Sequence, residues 1–383
     1  MADFIFKISP HIVSGSYTSS RIGQFVRESG ERFMLIADPV LADFGTVEKI
    51  EVSLKESGIQ YFKFDEIPEA ADTELIGQAL TLARDACVHG VISVGGTRIS
   101  SIARTVAAFF NEQRTIYDFI DAAGPEIEPI PYIGIPTTSS NGFIFSDKIP
   151  VVDSRTGQLK ILKAQNGLCK LAVYDPNLPV SLTDKQFISM VLHTICIAGG
   201  AYLSQKANFF SDMIAEKALE FLGYALFGMP ASISSAAPKQ QFAMDGGCMA
   251  ALATASSSGG VATLLAQSIS ARHNLPPSLI AAILLPHLIE DAADSKKDRL
   301  VHIARLLHIA AETSDGDASV AMLSEAVRNK TAEFDLPARL ADLSLTMEQL
   351  AVCVGDLGKT DAVQSFHRSM SEDDLFDIIK RAF

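Results

Sequence analysis

VISVGGTRISSIAR, residues 91–104, reads as a short apolar strand, two glycines and the opening of a helix. Glycine lets a backbone approach a ligand closely, and a helix start offers free N–H groups and the positive end of a dipole. The same residues also suit a plain strand-to-helix turn, so the stretch needs its neighbours to be read. RFMLIAD (32–38) is an apolar run ending in Asp-Pro, IQYFKFDEI (59–67) reads as a second strand, and HGVISVGG (89–96) as a third. TELIGQALTLARDA (73–86) and SSIARTVAAFF (100–110) carry helical spacing between them, and PYIGIPTTSS (131–140) is again a strand running into a polar loop. Strands and helices alternating at this pitch predict a parallel, Rossmann-like α/β sheet. Ligands of such sheets bind beyond the carboxyl ends of the strands, where Asp38, Gly95–Arg98 and Thr137–Gly142 fall.

The second half changes character. ISMVLHTICIAGGAYLSQ, SDMIAEKALEFLGYALF, QFAMDGGCMAALATAS, VATLLAQSISARH, SLIAAILLPHLIED and RLVHIARLLHIAAET all carry helical periods. SMSEDDLFDIIKRAF opens with Ser371 and has Asp374 three residues on, the spacing of a capping box. The expected organisation is an α/β dinucleotide-binding domain over 1–180 and an all-helical domain over 181–383, the junction lying near YDPNLPVSLTD (174–184).

Composition narrows the function classes. The chain has 383 residues, 48% hydrophobic and 20% charged, enough for a large core. A net charge of −13 argues against a broad nucleic-acid surface. Five scattered cysteines, with no CxxC spacing, suit buried thiols in a reducing compartment and so a cytoplasmic location. MADFIFKISPH shows no signal-peptide pattern, and the longest apolar stretch, ISMVLHTICIAGGAYL, is interrupted by His193 and two glycines, so no membrane span is expected. The eight histidines form no HxxxH or HExxH pair, and His302 and His308 stand six apart, on opposite sides of a helix.

Single residues leave alternatives open. Asp38 at a strand end either accepts hydrogen bonds from a ribose diol, which favours NAD over its 2′-phosphorylated form, or caps an Asx-Pro turn. The hydroxyls of IPTTSSNG (135–142) suit phosphate, sugar or an amide, or a plain polar loop. Lys160 follows a hairpin at DSRTGQ, where a solvated lysine is the default.

Taken together, VGG before a helix, then IPTT, a lysine, YDPNL, AYLSQKANFFSD, NLPPSLIAAILLPH and the tail HRSMSEDDLFDIIKRAF resemble the iron-containing alcohol dehydrogenase family, of the dehydroquinate synthase-like fold. The resemblance implies NAD or NADP bound by the first domain, a divalent metal bound by the second, an active site in the cleft between them, a small alcohol or carbonyl substrate, and a possible homodimer. It places Asp38 at the adenine ribose, Gly95 and Gly96 in a GGGSxxDxxK loop, Thr137, Thr138 and Gly142 in the loop that follows, and Lys160 near the nicotinamide. Thr97, Arg98, Ser101 and Arg104 replace that loop's third glycine, serine, aspartate and lysine, and alanine stands in EIPEAADTE where the family has an asparagine. The arginines either preserve anion binding by charge or are solvated helix residues.

The metal positions depart further. The family's aspartate and three histidines fall at His193, Ile197, Thr263 and Pro277, and a further histidine at Gln267. His287 persists but is not a ligand in the family pattern. Isoleucine and proline offer no side-chain donor and threonine is a poor one, so no tightly bound metal is expected. Without the ion, a protonated side chain must stabilise the developing alkoxide, and the candidates are His193 and Lys160; His193 on an apolar helix is otherwise a buried core histidine. Three functions remain: a metal-free NAD(P)-dependent oxidoreductase, a non-catalytic nucleotide-binding or structural relative, and a lyase-like reaction on the same fold.

Overall fold

The computed structural model describes residues 10–67, 72–230, 237–358 and 360–383. The N-terminal segment before Pro10 and the alanine pair of EIPEAADTE lie outside the described residues. The chain divides into two compact units, Met1–Ser181 and Leu182–Phe383.

In the first unit, strands β1 (His11–Ser14), β2 (Arg32–Ala37), β3 (Gln60–Phe64), β4 (Gly90–Gly95), β5 (Tyr132–Pro136) and β8 (Cys169–Tyr174) form one sheet in the order β1-β8-β5-β4-β2-β3. Every pairing in it is parallel. The inner strands β2, β4 and β5 are near-continuous apolar runs because helices cover both faces. On one face Phe33, Leu35, Ile92, Val94, Ile133 and Ile135 pack against α1 (Ile22–Val26) and α2 (Thr46–Glu56) through Ile22, Val26, Ile50 and Leu54. Alternation along the strands turns Met34 and Ile36, both buried, to the other face. The remaining helices of this unit are α3 (Thr73–Asp85) and α4 (Thr97–Phe109). The antiparallel hairpin β6 (Lys148–Asp153) and β7 (Gln158–Lys163) stands as a separate sheet, turning at the predicted DSRTGQ.

The winding reverses at β2. The chain passes from β2 to β3 on one side and then returns to β4 on the other. The crevice between the carboxyl ends of β2 and β4 is therefore the topological switch point, and Asp38 and Gly95 stand on its two sides.

The second unit contains α5 (Asp184–Leu203), α6 (Phe209–Phe227), α7 (Lys239–Ala255), α8 (Gly260–His273), α9 (Pro277–Leu306), α10 (Gly316–Glu333), α11 (Met347–Gly358) and α12 (Glu372–Ala382). Helix α5 is apolar enough by composition to cross a bilayer, and 83% of its most apolar window is buried within the protein. The predicted capping box forms at α12: the Asp374 amide donates to Ser371 Oγ at 3.2 Å and the Ser371 amide donates back to Asp374 Oδ2 at 2.7 Å. One expectation is corrected. His302 and His308 do not share a helix, because α9 ends at Leu306 and His308 turns to φ 59°, letting the Ile309 amide reach back to Ala304 O.

Helices α5 and α8 touch backbone to backbone. A Cβ on Gly200 would stand 2.7 Å from Gly260 Cα and 2.9 Å from Gly259 O, whereas a Cβ on Gly199 meets only Ile303 Cδ1 at 4.0 Å. Gly200→Ala is therefore expected to cost about 1–3 kcal/mol by forcing the helices apart. Gly199→Ala is expected to be neutral or to stabilise by up to about 1 kcal/mol through helix propensity. Urea unfolding of the two variants checks this contrast.

Candidate functional site

Three strand ends deliver their loops to one place. After β2, the Asp38 amide donates to Val94 O at 2.9 Å, which ties its backbone to β4. Its carboxylate caps the 3-10 turn Pro39–Phe44, Oδ1 accepting from the Val40 amide at 3.4 Å, and lies 3.0 Å from Arg98 Nη2. Asp38 is thus both a cap and half of an ion pair. After β4, Gly95 has no room for a side chain, since a Cβ would stand 2.6 Å from Ile99 Cγ1. Gly96 is the N-cap of α4 and carries no capping side chain, so the amides of the first turn are not closed off from that direction. After β5, the Thr137 amide donates to Gly95 O at 3.2 Å, and Thr97 Oγ1 donates to Ser140 O at 3.3 Å. A Cβ on Gly96 would lie 3.5 Å from Thr138 Oγ1, so that hydroxyl borders the glycine directly.

The fold therefore gathers Asp38, Gly95, Gly96, Thr97, Arg98, Thr137 and Thr138 at the switch point, with Gly142 buried a few residues further along the same loop. Sequence reasoning passed over Asn141. It is 2% exposed; Oδ1 accepts from the Phe143 amide at 3.3 Å, and Nδ2 has no hydrogen-bond partner. A buried orphan donor beside this loop is unusual and points to a missing acceptor. The only signal in the sequence was an amide residue next to a glycine.

The two arginines of α4 have separate fates. Arg98 borders solvent, its side chain 32% exposed. Arg104 is neither a solvated residue nor an anion contact: it is 1% exposed and donates Nη1 to Lys148 O at 3.0 Å and Nη2 to Ser146 O. Burial lowers its pKa, and it pins the start of β6 onto the helix. Beside it, Tyr132 Oη lies 2.9 Å from Ser93 Oγ and 3.0 Å from Ser100 Oγ, and burial pushes the phenol up to about 12. These hydroxyls join β4, β5 and α4 beneath the turn. Lys160 stands on β7, opposite Val151, with Nζ 2.6 Å from Asp121 Oδ2. Its partner is thus a carboxylate in the segment before β5.

In the helical unit, His193 lies on α5 at 1% exposure, and neither ring nitrogen has a hydrogen-bond partner. Desolvation lowers its pKa from 6.5 to about 4, so it is a neutral imidazole at pH 7. Ile197, one turn on, is 1% exposed and apolar. Thr263 on α8 is 1% exposed, its hydroxyl also without a partner, and Pro277 is the first residue of α9. His287, further along α9, sits 3.8 Å from Glu290, with desolvation lowering its pKa. One imidazole and one hydroxyl do not fit a divalent iron or zinc ion, which takes three or four protein donors. Among the described residues no group of three His, Cys, Asp or Glu side chains gathers to hold a metal.

The His193 environment has a pH signature. A histidine with a depressed folded pKa leaves the unfolded chain binding more protons between the two values, so stability is full above about 6.5 and falls as pH drops towards 4. Between pH 7.5 and pH 5 this single group is expected to withdraw about 2 kcal/mol. Urea unfolding at the two pH values, compared with His193→Leu, isolates it; equal pH losses in the two proteins would refute the assignment.

Comparison with known proteins follows the same architecture. The family description "Iron-containing alcohol dehydrogenase" matches residues 9–176, and "Fe-containing alcohol dehydrogenase family, C-terminal" matches 188–383. The probable alcohol dehydrogenase EutG of Escherichia coli K12 is 25% identical over 349 residues, 89% of this chain and 85% of that protein. The NADPH-dependent butanol dehydrogenase of Clostridium saccharobutylicum is 22% identical over 333 residues, 86% of this chain and 84% of that protein. The crystal structure of a 1,3-propanediol oxidoreductase superposes with a TM-score of 0.90 at 18% identity, each chain covered over 100% of its length. With its α/β half and its helical half both matched, the chain belongs to the iron-containing alcohol dehydrogenase family.

Proposed function

We propose that the chain is an NAD(P)-dependent oxidoreductase of a small alcohol or carbonyl that works without the divalent ion of its family. The convergence of loops at the β2–β4 switch point carries the first half of this reading, and the donor-poor set His193, Ile197, Thr263 and Pro277 carries the second. Relatives named for butanol and 1,3-propanediol support the substrate class. The five cysteines form no disulfide, which suits a cytoplasmic setting.

The residues present suit a dinucleotide. Gly96 presents no side chain, the first turn of α4 presents amides, Thr97 and Thr138 present hydroxyls, and the orphan Asn141 Nδ2 is a donor in want of an acceptor. Gly95, Gly96 and Thr97 would hold the diphosphate, Asp38 with Arg98 the adenine ribose, and Thr137, Thr138 and Gly142 the part nearer the nicotinamide; the family resemblance adds Lys160 there, a residue that pairs with Asp121. A bound nicotinamide cofactor supplies or accepts the hydride. The chain's own groups must then offset negative charge on the substrate oxygen. Lys160 can donate from its ammonium. His193, uncharged at neutral pH, can donate only through the N–H of a neutral ring, so it acts as a hydrogen-bond donor and not as a charged acid. Asp38 as a lone carboxylate would favour NAD; its ion pair with Arg98 alters that balance.

A second reading has an observation of its own. Thr97, Arg98, Ser101 and Arg104 all depart from the family's loop, and Arg104 is committed to main-chain carbonyls. That pattern suits a relative kept for nucleotide binding or assembly alone.

Titration of chelator-treated protein with NADH, followed by fluorescence, separates the readings. Saturable binding, unchanged by EDTA, is expected, together with aldehyde reduction that added zinc or ferrous ion does not raise. Purified protein carrying about one tightly held metal ion per chain would overturn the metal-free reading. Dinucleotide binding without turnover on any alcohol or aldehyde would favour the non-catalytic relative.

A further inference from the structure

An aspartate that reads a ribose diol does so as a free carboxylate, and Asp38 is not free. Arg98, the second residue of α4, reaches across the mouth of the crevice and places Nη2 3.0 Å from Asp38 Oδ1. The two side chains are 32% and 19% exposed, so the pair borders the solvent from which a ligand arrives. The family resemblance puts a serine at this position, so the arginine is a property of this chain.

The chemistry of the 2′ position turns on this pair. A lone carboxylate accepts from a 2′-hydroxyl and repels a 2′-phosphate. A guanidinium at contact distance cancels that repulsion, and its planar fork of donors matches phosphate oxygens as well as it matches a carboxylate. Its place in the first turn of α4 adds the attraction of the helix dipole for an anion. If Arg98 turns to a phosphate, its contact with Asp38 Oδ1 is exchanged for another charge-assisted one, and Asp38 keeps its hydrogen bond from the Val40 amide.

We propose that the Asp38–Arg98 pair makes the adenosine end of the site accept a 2′-phosphate, so that the chain binds NADP(H) at least as tightly as NAD(H). The inference rests on the dinucleotide reading of the switch point. Arg98 is the residue that sets cofactor preference, and Asp38 tunes it by competing with the phosphate for the guanidinium.

The test is a binding titration of the full chain with NADH and NADPH, and with the fragments 5′-AMP and adenosine 2′,5′-bisphosphate. The wild type is expected to bind NADPH as tightly as NADH or more tightly, and the bisphosphate more tightly than AMP. Arg98→Ser is expected to weaken NADPH by about 10–100-fold and NADH by less than about threefold. Asp38→Asn, which removes the competing charge, is expected to strengthen NADPH. Circular dichroism melts confirm that each variant is folded. A wild type preferring NADH by about tenfold or more, or an Arg98→Ser variant losing both dinucleotides equally, overturns the inference and leaves the dinucleotide reading standing. Folded wild-type protein that binds neither dinucleotide overturns both.

Discussion

At Gly95 the backbone of β4 turns into α4 with the Ile99 side chain so close that a Cβ would stand 2.6 Å from its Cγ1 and 3.3 Å from Asp38 Cβ. That tightness decides the geometry around it. It lets α4 begin two residues after the strand ends, so the uncapped first turn faces the switch point directly. It brings Arg98 within reach of Asp38 on the neighbouring strand end, and it leaves Gly95 O available to the Thr137 amide from the strand on the other side. The loops after β2, β4 and β5 thereby meet around one residue without a side chain. Apolar burial of the sheet supplies the stability, but this steric fact determines what the stability is used to position.

Charge is then divided between two arginines six residues apart on the same helix. Arg104 is enclosed on all sides because α4 itself is buried along nearly its whole length, and its cost of desolvation is offset by main-chain carbonyls rather than by a carboxylate. It behaves as a structural fastener between α4 and β6. Arg98 occupies the end of α4 that meets solvent, where a guanidinium can change partners. Sequence spacing gave the two residues equal standing; position along a buried helix separates them.

Much of the fold was legible in the sequence, for identifiable reasons. Parallel strands buried on both faces are written as apolar runs closed by Asp-Pro, Gly-Gly or Thr-Thr, and β2, β4 and β5 are such runs. The capping box at Ser371 needed only two residues three apart. Less legible were β1, four residues with mostly exposed side chains, and β8, whose alternation is broken by Lys170. Both find their place only by pairing with distant partners, His11 with Leu171 and Tyr132 with Cys169, which no local pattern encodes. At the site, residue types announced the glycines and hydroxyls. The Asp38–Arg98 contact spans 60 positions and the Arg104 carbonyl contacts more than 40, so both had to await the fold.

The helical unit shows what the same logic leaves unresolved within a core. His193 and Thr263 are polar side chains sealed on α5 and α8 without partners, while Ile197 and Pro277 beside them in the family pattern are apolar. A core that closed fully over these four positions would be expected to hold no donor there, because an unsatisfied buried polar group costs about 1–3 kcal/mol. Here two of the four positions are apolar and two are polar. The imidazole meets part of that cost by staying neutral, its pKa held down to about 4. A histidine held under such a penalty calls for a partner to its ring in another state of the protein. A substrate oxygen accepting the N–H of a neutral ring is the partner that the proposed oxidoreductase activity provides, a hydrogen bond in place of a charged acid.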